Sequence, residues 1–212
     1  GGASREAKEH AGRGGRGQGR ESKGTRELGK NDKPNQEGSE VLVDAEFAGN
    51  WDKEIANADR DTARSRHGYI IKLNGCPITW KSQLQTEIAL SSTESEYTGM
   101  SYSLRETIPI MELLKEMKRA GVPISSTTPR VSCKVFEDNS GALEMARVHK
   151  ARPRTKHMNV KLHHFRDYVT RGDITIHPIS THDQSADFLT KSNPVDVLRV
   201  HRKATTSGTA IM

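Results

Sequence analysis

Four carboxylates stand where a single side chain can do chemistry: Asp44, Glu96, Asp138 and Asp187. Asp44 falls inside the apolar run Val41-Leu42-Val43-Asp44-Ala45-Glu46-Phe47, and Asp138 follows a second apolar run, Val131 to Phe136. Glu96 opens a long helical pattern, and Asp187 falls early in the last one. Hard divalent cations such as Mg2+ take oxygen ligands and keep much of their water, so few carboxylates per ion suffice. Two such ions roughly 4 Å apart can activate a water and stabilise the leaving oxygen of a phosphodiester. Four acids converging from two strand ends and two helices would supply that ligand set. Each acid also has a structural role open to it. Thr93 with Glu96, or Ser91 with Glu94, fits a capping box. Asp138 can cap the helix after it, and Asp187 suits a helix amino terminus.

The densest positive run holds Arg147, His149, Lys150, Arg152, Arg154, Lys156 and His157. Such residues make phosphate contacts that give affinity and register without reading sequence. A solvated basic loop is the other reading. His157, His163 and His164 lack a nearby cysteine and the ligand spacing of a transition-metal cluster.

The elements that must position these groups begin near residue 40. The chain has 212 residues, 33% hydrophobic and 28% charged, and more than half of its 18 glycines precede that point. Residues 1–40 offer too little apolar surface to offset the entropy of ordering them, so they are expected to be a disordered Gly/Arg/Glu-rich linker. With no initiator Met at position 1, the chain is expected to be a piece of something longer. No stretch approaches the ~18 apolar residues of a membrane helix, and Gly1 to His10 lacks the apolar core of a secretory signal. Two cysteines, Cys76 and Cys133, cannot build a disulfide framework, which suits a reducing compartment. A net charge of +6 is mild support for a polyanionic partner.

From Val41 the pattern becomes that of a folded domain. Val41 to Phe47 reads as a strand, and Trp51 to Arg66 as a polar loop. Gly68 to Leu73 and Cys76 to Trp80 read as a hairpin, because Asn74-Gly75 between them accepts positive φ at both residues. Ile88-Ala89-Leu90 continues the sheet or leads out of it. Tyr97, Met100, Leu104, Ile108, Met111, Leu114 and Met117 recur at helical spacing, with Pro109 expected to kink or split the helix. Val131 to Phe136 reads as a central strand, Asn139 to Arg147 and Met158 to Val169 as helices, and Ile174 to Ile179 as a strand. A last helix is expected from about Asp183. A hairpin sheet extended by crossovers and covered by helices is a mixed α/β architecture.

Several motifs then fall in an order that resembles a known family. They are Asp44-Ala45-Glu46-Phe47-Ala48-Gly49, Gly75-Cys76-Pro77-Ile78-Thr79-Trp80, Ala89-Leu90-Ser91-Ser92-Thr93-Glu94-Ser95-Glu96-Tyr97, Glu137-Asp138-Asn139-Ser140-Gly141-Ala142-Leu143, Arg154-Thr155-Lys156-His157, and Asp183-Gln184-Ser185-Ala186-Asp187-Phe188-Leu189-Thr190-Lys191. The series resembles the RNase H domain of copia-type retrotransposon polyproteins, over about residues 41–192. The resemblance implies an RNase H-like fold: a mixed five-stranded sheet, antiparallel hairpin plus parallel strands, flanked by helices. Residues 193–212 would be a carboxy-terminal tail, partly helical or disordered.

The resemblance also implies an endonuclease that hydrolyses the RNA strand of RNA/DNA hybrids with two Mg2+ ions, for which Mn2+ can substitute. Asp44, Glu96, Asp138 and Asp187 would be the catalytic, metal-holding acids. Glu96 is preferred to its neighbour Glu94 because it directly precedes the aromatic Tyr97, and Glu137 is the near miss beside Asp138. Arg147, Lys150, Arg152, Arg154, Lys156 and His157 would contact the hybrid, and a reverse transcriptase domain would adjoin. The setting would be cytoplasmic, within a retroelement particle, or nuclear, and not secreted. A catalytically inactive nucleic-acid-binding remnant is the alternative. His182 lies in the loop before Asp187, where cellular RNases H carry a histidine, but closer to the acid than that family's spacing.

Overall fold

The structure is a computed structural model that describes residues 38–123, 131–147 and 163–206. Its first strand, β1 (Ser39–Glu46), is joined by a loop containing a 3-10 turn (Arg60–Ala63) to the hairpin β2 (Arg66–Leu73) and β3 (Cys76–Leu84). The hairpin turns at Asn74 and Gly75, whose φ angles of 50° and 77° are the left-handed values expected of this pair. Helix α1 (Ser92–Arg119) follows, then β4 (Cys133–Glu137) and α2 (Ser140–Arg147). After a 3-10 turn at His163–Phe165 come α3 (Arg166–Thr170), β5 (Ile174–Pro178), two further 3-10 turns and α4 (Val195–Thr206).

The strands form one sheet in the order β3-β2-β1-β4-β5. β1 to β3 pair antiparallel, and β1, β4 and β5 run parallel. This is the mixed five-stranded sheet the RNase H-like fold requires, with β1 at its centre. Both faces of β1 are covered, which is why its run is apolar with almost no alternation. On one face Val43 and Ala45 lie against α1, where a Cβ added at Gly99 would touch both. On the other, Gly68, the cross-strand partner of Asp44, faces Ala186, Leu189 and Thr190. The main core joins Val41, Val43 and Ile71 of the sheet to Met100, Leu104 and Met111 of α1, and to Val135, Phe165 and Ile176.

Several expectations need correction. Helix α1 runs unbroken through Pro109. The expected split is therefore absent: Pro109 itself is exposed, whereas Leu104, Thr107, Met111 and Leu114 on either side are buried and carry the helix across it. The helix expected from Asp183 is instead two 3-10 turns, Thr181–Asp183 and Ser185–Leu189, and the α-helix begins only at Val195. Of the two readings open to Ile88 to Leu90, the one leading out of the sheet holds, while β2 starts at Arg66, inside the expected loop. β1 starts at Ser39, two residues ahead of the expected boundary. Residues 1–37, and the Met158 to Leu162 part of an expected helix, lie outside the described residues.

Candidate active site

The parallel pair β1 and β4 sets the site. Leu42 stands opposite Phe136, so both strands deliver their next residues to the same end of the sheet. That end, outside the carboxyl ends of parallel strands, is where α/β sheets commonly place ligands. Asp44 belongs to the last turn of pleat in β1, and Asp138 directly follows β4. The amino terminus of α1 arrives at the same place and brings Glu96. One ligand oxygen from each of Asp44, Glu96 and Asp138 lies within 4.8 Å of the others.

The start of α1 distinguishes the two glutamates. Ser91 is the cap, and its Oγ accepts the Glu94 N–H at 3.1 Å. Glu94 Oε2 reaches back to accept the Leu90 N–H at 2.9 Å. The capping role therefore falls to Ser91 with Glu94, not to Thr93 with Glu96. Glu96 is 6% exposed, and its Oε2 is buried with no hydrogen-bond partner. The cap of α2 is likewise Asn139, whose Oδ1 accepts the Ala142 N–H at 3.0 Å. Asp138 is thereby released from capping, and its carboxylate accepts the Thr181 hydroxyl at 2.8 Å.

Asp187 comes in from the opposite face, in the 3-10 turn Ser185–Leu189. It is outside the 4.8 Å group and is linked to it through Lys191. The Lys191 ammonium lies 2.5 Å from Asp187 Oδ1 and 3.8 Å from Asp44 Oδ2. The Thr190 hydroxyl also donates to Asp44 Oδ2. Asn193 Nδ2 approaches the other Asp187 oxygen at 3.4 Å. The whole segment is anchored by Gln184, which is fully buried and donates its amide to the Val43 carbonyl at 2.8 Å.

Burial and mutual repulsion make these acids hard to ionise. Asp44 is pushed up to about 6, first by burial and then by Asp187 and Asp138, against the pull of Thr190 and Lys191. Glu96 is raised further by burial, with Glu137, Asp44 and Asp138 adding to it. Glu137 is fully buried; one oxygen accepts the Asn139 N–H at 3.0 Å and the other has no hydrogen-bond partner. Burial raises it as well. An all-oxygen donor set with orphaned buried carboxylate oxygens and too little positive charge fits a hard divalent cation.

Sequence reasoning missed three contributors: Thr190, Lys191 and the buried carboxyl of Glu137. The spacing of Asp187 and Lys191, four residues apart, was the one available signal. Among the expected nucleic-acid contacts, Arg147 donates to the Ile176 carbonyl at 2.5 Å and so ties α2 to β5. Lys150, Arg152, Arg154, Lys156 and His157 lie outside the described residues. His182 is exposed and paired with Asp183 at 3.2 Å.

No family model matches the chain. It is 35% identical over 148 residues to the retrovirus-related Pol polyprotein from transposon RE1 of Arabidopsis thaliana, covering 70% of this chain and 9% of that protein. It is 31% identical over 152 residues to the corresponding polyprotein from transposon TNT 1-94 of Nicotiana tabacum, covering 72% and 10%. The chain thus spans about a tenth of the length of the curated relatives it matches. Similar solved structures include the amino-terminal RNase H domain of rv2228c from Mycobacterium tuberculosis, with TM-score 0.47, 11% identity, and coverage of 80% of this chain and 99% of that one. Another is LC11-RNase H1, with TM-score 0.44, 16% identity, and coverage of 73% and 93%. Fold and motifs define an RNase H-like domain. Its sequence is similar to one segment of the retrovirus-related Pol polyproteins of transposons.

Proposed function

We propose that the chain is the RNase H of a copia-type retrotransposon polyprotein and cuts the RNA strand of an RNA/DNA hybrid with two Mg2+ ions, Mn2+ substituting. The observation that carries this reading is the meeting of Asp44, Glu96 and Asp138 within 4.8 Å at the carboxyl ends of β1 and β4. Asp187 completes the set through its link to Asp44. When bound, the ions would supply water activation and charge stabilisation at the phosphodiester. The chain's own residues hold the acids in place: Thr190 fixes the Asp44 carboxylate, Thr181 that of Asp138, and the Ser91 cap aims α1 so that Glu96 turns inward. Burial keeps bulk water from screening the acids, so their demand for a cation is strong.

The basic run from Lys150 to His157 would grip phosphates of the hybrid. Discrimination from duplex DNA would run through minor-groove shape and 2′-hydroxyls rather than base edges. The adjoining partner would be a reverse transcriptase domain, in a retroelement particle or the nucleus. The test is magnesium-dependent cleavage of a labelled hybrid by the chain and by Asp44→Asn. The variant should bind the hybrid and fail to cut it. A wild-type chain that binds the hybrid without cutting would establish the binding-remnant reading instead.

A further inference from the structure

We infer that Lys191 is a built-in counter-ion that holds Asp44 and Asp187 together while the acids carry no metal, and that it must leave before a divalent cation can bind between these two residues. The inference rests on the reading of the acids as cation ligands. Its geometry is independent of any bound ion. The Lys191 ammonium sits 2.5 Å from Asp187 and 3.8 Å from Asp44, and the Thr190 hydroxyl takes the same Asp44 oxygen. Thr190 and Lys191 both donate their backbone N–H to the Asp187 carbonyl, at 3.2 and 3.1 Å, so one turn of chain presents both donors to the acids.

An ammonium and a hard cation cannot use the same carboxylate lone pairs at once. The first donates hydrogen bonds at about 2.8 Å, and the second coordinates at about 2.1 Å. Occupancy by one therefore excludes the other, and the two affinities are linked. The acids are not equivalent in this respect. Among the described residues the ion pairs of Lys191 are to Asp44 and Asp187, while Asp138 feels it only at longer range and Glu96 has no lysine or arginine paired with it. One side of the site is open to a cation and the other is guarded.

Lys191 also has somewhere to go. Its side chain is 38% exposed. Beside it lies an open cavity of about 660 Å³, lined by Glu46, Asn50, Arg66, Ser82 and Thr190. The Glu46 carboxylate lines the same cavity and offers a displaced ammonium a second partner. Cation uptake is then expected in two classes of different strength, the weaker one carrying the work of displacing Lys191.

The experiment is Mg2+ titration of the full chain by calorimetry, with the Mg2+-induced rise in Tm as a second readout. Wild type, Lys191→Met, Lys191→Gln and Arg66→Met are compared. In Lys191→Met and Lys191→Gln the weaker class should tighten by about tenfold or more, and the Mg2+-induced rise in Tm should grow. Arg66→Met removes a nearby charge from the same cavity without touching the acids, and should shift either class by less than about threefold. Unchanged or weaker Mg2+ binding in both Lys191 variants overturns the inference, as does equal tightening in Arg66→Met. Hybrid cleavage by wild type together with no tightening overturns this inference alone. Absence of Mg2+ binding in every form overturns the reading of the acids and this inference with it.

Discussion

Glu94 accepts the Leu90 backbone N–H at 2.9 Å, so the glutamate that closes the start of α1 is not the one that enters the site. Two residues apart on a helix means about 200° of rotation, and Glu96 is accordingly turned into the acids. Glu94→Gln should keep hybrid cleavage within a few-fold of wild type and lower stability by about 1 kcal/mol or less. Glu96→Gln should lose cleavage. Turnover of one hybrid at saturating substrate checks both, and an active Glu96→Gln beside a dead Glu94→Gln would shift the assignment by two residues.

Asp44 binds its proton up to about pH 6 in the folded chain, against 3.8 for an ordinary aspartate. Between those values the native state holds more protons than the unfolded state, so stability is lost as pH rises through that window. The loss for this group is on the order of 2–3 kcal/mol. Without divalent metal, wild type should therefore melt at higher temperature at pH 4.5 than at pH 7. Asp44→Asn should reduce that difference and leave the part contributed by Glu96 and Glu137, which burial also raises. Calorimetric Tm across this range in chelator checks it, and a slope unchanged in Asp44→Asn would contradict the burial argument.

A Cβ at Gly68 would come within 2.5 Å of the Leu189 Cβ and 3.3 Å of the Ala186 carbonyl oxygen. Neither atom belongs to a flexible side-chain tip. Gly68→Ala should push the 186–190 segment off the sheet, lower stability by about 1–3 kcal/mol, and reduce cleavage by displacing Asp187. Denaturant unfolding and hybrid turnover measured together check it; a fully stable and active variant would show that the segment can yield.

Pro109 removes one backbone hydrogen bond from α1 and crowds the preceding turn. Because it is exposed, nothing is lost from the core when it is replaced. Pro109→Ala should raise stability by about 1–3 kcal/mol and leave cleavage unchanged. A fall in Tm would mean that the proline shapes the helix usefully.

What could be read in the sequence was local. Asn74-Gly75 specified a hairpin because few pairs tolerate two positive φ angles, and Ser91-Ser92-Thr93-Glu94 announced a helix start. Asp44, Glu96 and Asp138 could be named from their motifs, but their meeting depends on the β1–β4 register, which no local pattern encodes. Pro109 misled because propensity was outweighed by burial on both sides of it. Asp187 misled in another way: the Gln184 amide and the contacts on Gly68 fold its surroundings as 3-10 turns, against an expected α-helix. Lys191 stands four residues from Asp187, and Glu137 falls on the buried alternation of Cys133 and Val135, yet neither spacing tells what the residue does. Their importance comes from which charges lie beside them in space.

The Gln184 amide reaches the Val43 carbonyl across 141 residues of sequence. That bond, rather than any strand pairing, brings the fourth acid to the first. Translation order then matters: a ribosome-bound chain that has already paired β1 with β2 and β4 still lacks Asp187, Thr190 and Lys191. The half-built site presents Asp44 with neither its hydroxyl donor nor its counter-ion, next to Glu96, Glu137 and Asp138. Such an intermediate would keep its acids protonated or stay loosely packed until the final turns dock. On the proposed reading, cleavage depends on residues 184–191, which emerge after every strand of the sheet, and a nascent or truncated chain ending before residue 184 should leave a hybrid uncut.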